Sequence, residues 1–397
     1  MVKNEKKNLT FLYSLMLGAY WMSSCCAVGF AIVFLKSLSY SNFEAGIIVA
    51  LSSLCGTLIG MVLSSLIDRK ENITSKTFPF PMIIVQGLML GILLVMAKAD
   101  LFTGIVYIIY SLIVTALGSL LIKMYVDLNH QGYFVNYSFS RGIGSLSYVI
   151  VSLILGRLLS SFSERTILYV GLAVTVVELV TVGIVSGYID KTEMEDVVTS
   201  SGSSLFEFMR NNRSYMMIII GAILMFYSHC ILTSFTINIV TDLGGNAGTV
   251  GYMTGFMASM EIPVALFYSR MFTDHKKALI IASISMSVKA IAVALAFNIP
   301  LLFIALILQA PSFALYITCI VPFVEENVAY EDSAKAQSLA FSSMHMTSIL
   351  ASIIGGFLFD HISVRNNLYI STAITILGSL LILYTLKKEK NNGQNSN

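Results

Sequence analysis

The sequence predicts an all-α membrane protein with twelve transmembrane helices in two pseudo-symmetric six-helix bundles. Three observations carry that prediction. Of the 397 residues, 56% are hydrophobic and only 12% are charged, whereas soluble domains carry about 25% charged residues. The apolar residues fall into twelve runs, each close to the roughly 20 helical residues needed to cross a bilayer core. The second half also echoes the first. GRLLSSFSERTILYV from Gly156 and GFLFDHISVRNNLYI from Gly356 share Gly, Leu, Ser, Arg, Leu and Tyr at a constant offset of 200 residues.

The runs cover approximately 9–35, 44–66, 79–98, 102–127, 140–162, 166–187, 215–240, 249–272, 279–297, 299–324, 338–360 and 367–386. The first follows the polar start MVKNEKKN. It is too long for a signal-peptide core and has no small-residue cleavage site after it, so it is read as a span rather than a leader. Most connections are short. The exception is polar, Ser-rich and charged, and it divides the chain into a first bundle (1–188), a cytoplasmic central loop (189–213) and a second bundle with a short tail (214–397). With both termini inside, cytoplasmic segments hold sixteen Lys and Arg residues. The opposite side holds four, Lys36, Lys98, Arg165 and Arg365. That bias fixes the orientation and makes the protein a multi-pass component of the plasma (cytoplasmic) membrane.

Composition and motifs exclude several functions. There is no HExxH, GxSxG, P-loop or paired-carboxylate constellation, so neither an enzyme nor an ATP-driven pump is expected, and no cofactor. The net charge of +2 gives no reason to expect nucleic acid. The five cysteines (Cys25, Cys26, Cys55, Cys230, Cys319) lie within spans without metal-ligand spacing and read as reduced, structural residues.

Charges inside spans are the functional candidates, because each costs on the order of 3 kcal/mol at the bilayer centre. Glu261 in the eighth run and Lys289 in the ninth lie near mid-span. Two readings stand: a structural ion pair, or a site where protonation of the carboxylate couples to solute binding. Glu178 in the sixth run is equally deep, but nothing around it marks a face. His229 and His345 lie in spans and are of a type that titrates near neutrality. Gln309 precedes Pro311, so a buried amide stands beside a freed carbonyl. Tyr20, Trp21 and Tyr148 are candidate stacking platforms. Lys123, Asp127 and Arg141 lie near the cytoplasmic ends of the fourth and fifth runs, where hydropathy leaves snorkelling to the interface and a cavity-facing role both open. Asp68 and Arg69, at the turn after the second run, read as conformational wiring rather than a solute site.

The twelve spans, the central loop and the Asp68-Arg69 turn resemble the major facilitator superfamily. Within it the chain resembles the oligosaccharide:proton symporter (lactose permease-like) branch and the related phenylpropionate and nucleoside permeases. The matching pieces are GIIVALSSL from Gly46, SRGIGSLSY from Ser140, GYMT from Gly251, MEIP from Met260 and SMSVK from Ser285. The resemblance implies that Arg141 binds solute hydroxyls and that Tyr148, two turns on, stacks on the solute. It puts Lys289 where an arginine serves proton coupling and Gln309 where a histidine is usual. The chain also departs from the pattern. Lys123 stands where a carboxylate pairs with the sugar-binding arginine, with Asp127 one turn on as its candidate replacement. Ser312 falls where the branch's tenth-span carboxylate would be.

The expected function is therefore proton-coupled symport of a sugar or similar small polar solute. Arg141, Tyr148, Lys123, Asp127 and Gln309 would bind solute, and Glu261, Lys289 and His229 would couple protons. The partners are a small solute, the proton and the lipid bilayer, and the resemblance implies a monomer. The alternatives are a carrier of a small organic anion or nucleoside, an efflux antiporter, and a sensor on the same fold. The tail KKEKNNGQNSN is short for a sensor's signalling segment.

Overall fold

A computed structural model of the chain describes residues 8–69, 73–189 and 205–394. Among the described residues, twelve helices are long and apolar enough to cross a membrane. They are α1 (Thr10–Gly29), α2 (Asn42–Ile67), α3 (Pro79–Met96), α4 (Leu101–His130), α5 (Tyr137–Leu159), α6 (Thr166–Ser186), α7 (Arg213–Ser234), α8 (Ala247–Met271), α9 (His275–Leu295), α10 (Ile299–Asn327), α11 (Lys335–His361) and α12 (Val364–Lys388). Helices satisfy their own backbone hydrogen bonds, which hydrocarbon cannot do for them. No strand is present among the described residues. The nearest approach to one is an isolated bridge between Asn8 and Phe134.

Polar residues at the membrane edges set where the helices start. Ser41 and Glu44 form a reciprocal capping box at α2, with Ser41 N–H donating to Glu44 Oε2 (2.8 Å) and Glu44 N–H to Ser41 Oγ (3.1 Å). Asp100, Asn136, Asp274 and Asn298 cap α4, α5, α9 and α10, each accepting from the backbone N–H three residues on.

The chain divides into two compact units. In the first, α1 packs on α5 and α6, and α3 on α4 and α6. In the second, α7 packs on α11 and α12, and α9 on α10 and α12. Adding six to each index of the first pattern gives the second, so the offset seen in the sequence is a repeat of packing. Small residues allow the closest approaches. Gly221 of α7 lies against the backbone of Gly378 of α12, where an added Cβ would stand 3.0 Å from Gly378 O. The units do not divide between α6 and α7 alone. Ala247–Gly255 of α8 groups with the first unit, whereas the sequence division puts all of α8 in the second. The reason is local: Gly248 and Gly251 press backbone to backbone against Gly156 of α5.

Among the described residues, three spans are interrupted. In α1 the helix opens into a π turn at Cys25–Gly29 and resumes as Ala31–Ser37. The seventh run is three pieces, Arg213–Met225, Tyr227–Ser234 and Thr236–Asp242. In α10 a 3₁₀ turn, Ile307–Gln309, runs into a π turn, Ala310–Ala314. The cause in α10 is Pro311, whose ring cannot donate an N–H and crowds the carbonyl four residues back. Ser312 Oγ donates to the carbonyl of Leu308 (2.5 Å) and so satisfies part of the opened backbone.

Candidate functional site

One polar cluster of the second unit joins four helices. Lys289 of α9, 2% exposed, donates from Nζ to Gln309 Oε1 of α10 (2.8 Å), and its Nζ stands 3.1 Å from His229 Nδ1 of α7. Gln309 in turn donates from Nε2 to Glu261 Oε1 of α8 (3.0 Å). The amide thus lies between the two charges, and its polarity matches both: its oxygen faces the ammonium and its NH₂ faces the carboxylate. An ammonium can only donate, so with Lys289 charged His229 Nδ1 accepts and the imidazole proton sits on Nε2. The His229 ring lies over Phe313, with centroids 4.3 Å apart and planes at 30°.

Local backbone breaks put these side chains there. His229 is on the central piece of the interrupted seventh run, and Gln309 closes the 3₁₀ turn that Pro311 opens. Glu261 is two residues before Pro263, which lies inside α8. Gln309, expected as a solute contact, bonds to both Lys289 and Glu261. His345 is exposed on its unit and is not one of this cluster.

The first unit gathers a second, aromatic cluster. The Arg141 guanidinium lies 4.1 Å from the centroid of the Trp21 ring, and its Nη1 donates to Ser145 Oγ (2.8 Å). Tyr20 and Tyr148 meet Trp21 edge-on, at centroid distances of 5.4 and 6.4 Å. SRGIGSLSY supplies the α5 side of this cluster. Arg141, Ser145 and Tyr148 project from one helix face, and Gly144 leaves the space that Trp21 fills, since a Cβ there would overlap Trp21 Cδ1. The indole Nε1 is buried without a hydrogen-bond partner. Lys123 pairs with Asp127 one turn on in α4 (3.6 Å), and both are half-buried.

Asp68 and Arg69 end the helix Asn42–Arg69, but their side chains lie outside the described residues. Two groups that matter here had weak signals in the sequence. Trp21 is the only tryptophan of the chain. Gln86 is the only polar side chain in α3, PFPMIIVQGLMLGILLVM, and it is fully buried against Glu178. A cleft of about 460 Å³ between α9 and α10 is lined by Ala292, Leu295, Leu301, Ile304 and Leu308. Its lining is apolar and offers none of this chemistry.

No curated protein matches the chain in sequence. Among solved structures, the chain is similar to the nucleoside transporter NupG (TM-score 0.76, 15% identity, covering 94% of this chain and 97% of that one). It is also similar to an auto-inhibited peptide transporter of the POT family (TM-score 0.73, 9% identity, 95% and 97%). A third is a bacterial homologue of the human lysosomal transporter Spinster, inward-facing and occupied (TM-score 0.69, 10% identity, 95% and 96%). Residues 216–397 match the sequence model of the Major Facilitator Superfamily. The chain is a multi-pass membrane protein with the major facilitator fold.

Proposed function

We propose that the protein is a secondary active transporter of the cytoplasmic membrane that couples uptake of a sugar or similar small polar solute to proton entry by alternating access. Both termini would be cytoplasmic and the monomer would be the working unit. The observation that supports this reading most is the hydrogen-bonded chain Glu261, Gln309, Lys289, His229, buried except at its half-buried carboxylate end. Opposite charges at this depth hold each other in place, here through an amide. A proton on Glu261 cancels the negative end and leaves the Lys289 ammonium without its counter-charge, a state that another arrangement of the site must stabilise. That is the energetic requirement for coupling.

In the first unit, Arg141, Trp21 and Tyr148 would hold the solute, with the unpartnered indole N–H awaiting an acceptor. Lys123 and Asp127, paired with each other, would border that site, and Asp68 and Arg69 would act in switching rather than in binding.

A nucleoside is the second reading. The Trp21, Tyr20 and Tyr148 rings suit a flat base as well as a sugar face, and NupG, a nucleoside transporter, shares the fold.

The test is uptake into proteoliposomes under an imposed pH gradient, with sugars, nucleosides and small organic acids as candidate solutes. Accumulation driven by inward proton flow and abolished by an uncoupler is the expected result. Glu261→Gln is expected to keep downhill exchange and lose accumulation. Uptake indifferent to the gradient would replace coupling with facilitated diffusion, and accumulation driven only by outward proton flow would make the protein an exporter.

A further inference from the structure

A second buried acid lies in the first unit, away from the Glu261 cluster. Glu178 of α6 is 0% exposed, as is Gln86 of α3. Ser23 Oγ of α1 donates to Glu178 Oε2 (2.6 Å), and Gln86 Nε2 donates to the same oxygen (3.1 Å) and to Thr175 Oγ1 (2.9 Å). Glu178 Oε1 and Gln86 Oε1 are both buried with no hydrogen-bond partner.

No cation pairs with this carboxyl among the described residues. The ionisable groups in electrostatic reach of it are Tyr20 of α1 and Tyr110 of α4. Cys25 and Cys26 follow Ser23 by two and three residues. The remaining elements packed against α6 are α3, which has no ionisable side chain, and α5. The α5 cation on this side, Arg141, lies over Trp21. Trp21 and Ser23 are two residues apart on α1 and so point to nearly opposite faces. The acid thus lies on the other side of α1 from the Arg141–Trp21 stack, with Tyr20 in electrostatic reach of both Glu178 and Arg141.

An ionised carboxylate here would be fully desolvated, without a counter-charge, and beside a second orphaned acceptor. One proton changes all three conditions. The group becomes neutral, gains a donor, and has an unpartnered amide oxygen close by to receive it. A half-turn of the Gln86 amide exchanges Nε2 for Oε1 at the position 3.1 Å from Glu178 Oε2. The Ser23 and Thr175 hydroxyls can each donate or accept, so they can follow either orientation.

We propose that Glu178 is a proton-binding site of the first unit, taking its proton from bulk water, with Gln86 as the amide that turns with its charge state. Ser23 carries that state into α1, two residues before the π turn Cys25–Gly29. The transporter reading bears on what the proton is used for, not on whether it binds.

The test is infrared difference spectroscopy of the full purified chain, titrated from neutral to alkaline pH in H₂O and D₂O, beside Glu178→Gln and Gln86→Leu. At neutral pH the wild type is expected to show the carbonyl band of a protonated buried carboxyl, shifted in D₂O and lost on alkalinisation. Glu178→Gln, an isostere of the neutral acid, is expected to lack the band and keep the wild-type melting temperature. Gln86→Leu is expected to move the band to higher frequency as the amide hydrogen bond is lost. If Glu178→Gln does not fold, Glu178→Asp keeps a carboxyl whose band must shift. Three results would overturn the proposal: no band assignable to Glu178 at neutral pH, a band unchanged wherever the protein stays folded, or a band removed by sodium but not by choline at fixed pH, which would make the occupant sodium. All three are read without transport, so failure of the symport reading leaves them intact.

Discussion

Replacing Gln309 by leucine keeps the bulk of the side chain and removes both ends of its link. Lys289 then loses its 2.8 Å acceptor and Glu261 its 3.0 Å donor. An orphaned buried polar group costs about 1–3 kcal/mol, so Gln309→Leu is expected to lower the melting temperature in detergent. Adding Lys289→Met is expected to recover part of the loss, because the uncompensated charge is then gone, and the two changes should combine non-additively. Gly144→Ala tests the other cluster. Its Cβ would overlap Trp21 Cδ1, and overpacking costs about 1–3 kcal/mol. A weaker solute affinity with an otherwise folded protein is the expected result. At this scale the sequence was informative where an unusual residue met an unusual place. Glu261, Lys289, His229 and Gln309 each stand out singly in apolar runs, and the structure brings them together. The order of the links was not legible, because it depends on which face of each helix turns inward. Glu178 is a case in point. Its apolar neighbours Val174, Val177 and Val182 mark no face, and its partners Ser23 and Gln86 lie 155 and 92 residues away.

Helix ends and helix breaks had different visibility. The caps follow from residue type alone. Asp274 accepts the Lys277 backbone N–H, which, with lesser help from the Lys277 side chain, holds its carboxyl below the usual aspartate range. The sign is that of a depressed acid: the stabilisation is complete above the ordinary carboxylate range and is lost as pH falls through the lowered value. Asp274→Asn, which still caps, is expected to leave neutral-pH stability nearly unchanged and to flatten the acid limb of melting temperature against pH. Arg365, one of the residues repeated between the halves, caps the other end of α9. Its Nη1 donates to the carbonyls of Ala294 (2.5 Å) and Ala296 (2.7 Å). Arg365→Ala is expected to cost about 1–2 kcal/mol in thermal denaturation, with Arg365→Lys recovering part of it. The internal breaks were legible only where proline marks them, as at Pro311. The π turn of α1, CCAVG, contains no proline and reads in sequence as unbroken helix. Side chains from α4 and α5 set its environment: Tyr107 donates to the Ala27 carbonyl (3.0 Å) and Ser152 meets Cys25 Sγ (3.1 Å).

For the whole molecule, the repeat was the strongest signal, and it reappears as α1 on α5 and α6 against α7 on α11 and α12. Orientation rests on the distribution of Lys and Arg. A protease site placed after the C-terminus is expected to resist cleavage in intact cells and to be cut in inside-out vesicles. Cleavage from outside would reverse the topology. The grouping of Ala247–Gly255 with the first unit was not legible, since a glycine run in a span marks close packing without naming the partner.

The aromatic cluster has a practical consequence. Trp21 is the sole tryptophan in 397 residues, and it lies between the Arg141 guanidinium and the Tyr20 and Tyr148 rings. All indole fluorescence of the unlabelled protein therefore comes from one spot beside the proposed solute site. A molecule that displaces the guanidinium or reaches the buried indole N–H must change that emission. Titration of intrinsic fluorescence can then rank solutes without radiolabel, membrane gradient or knowledge of the direction of transport.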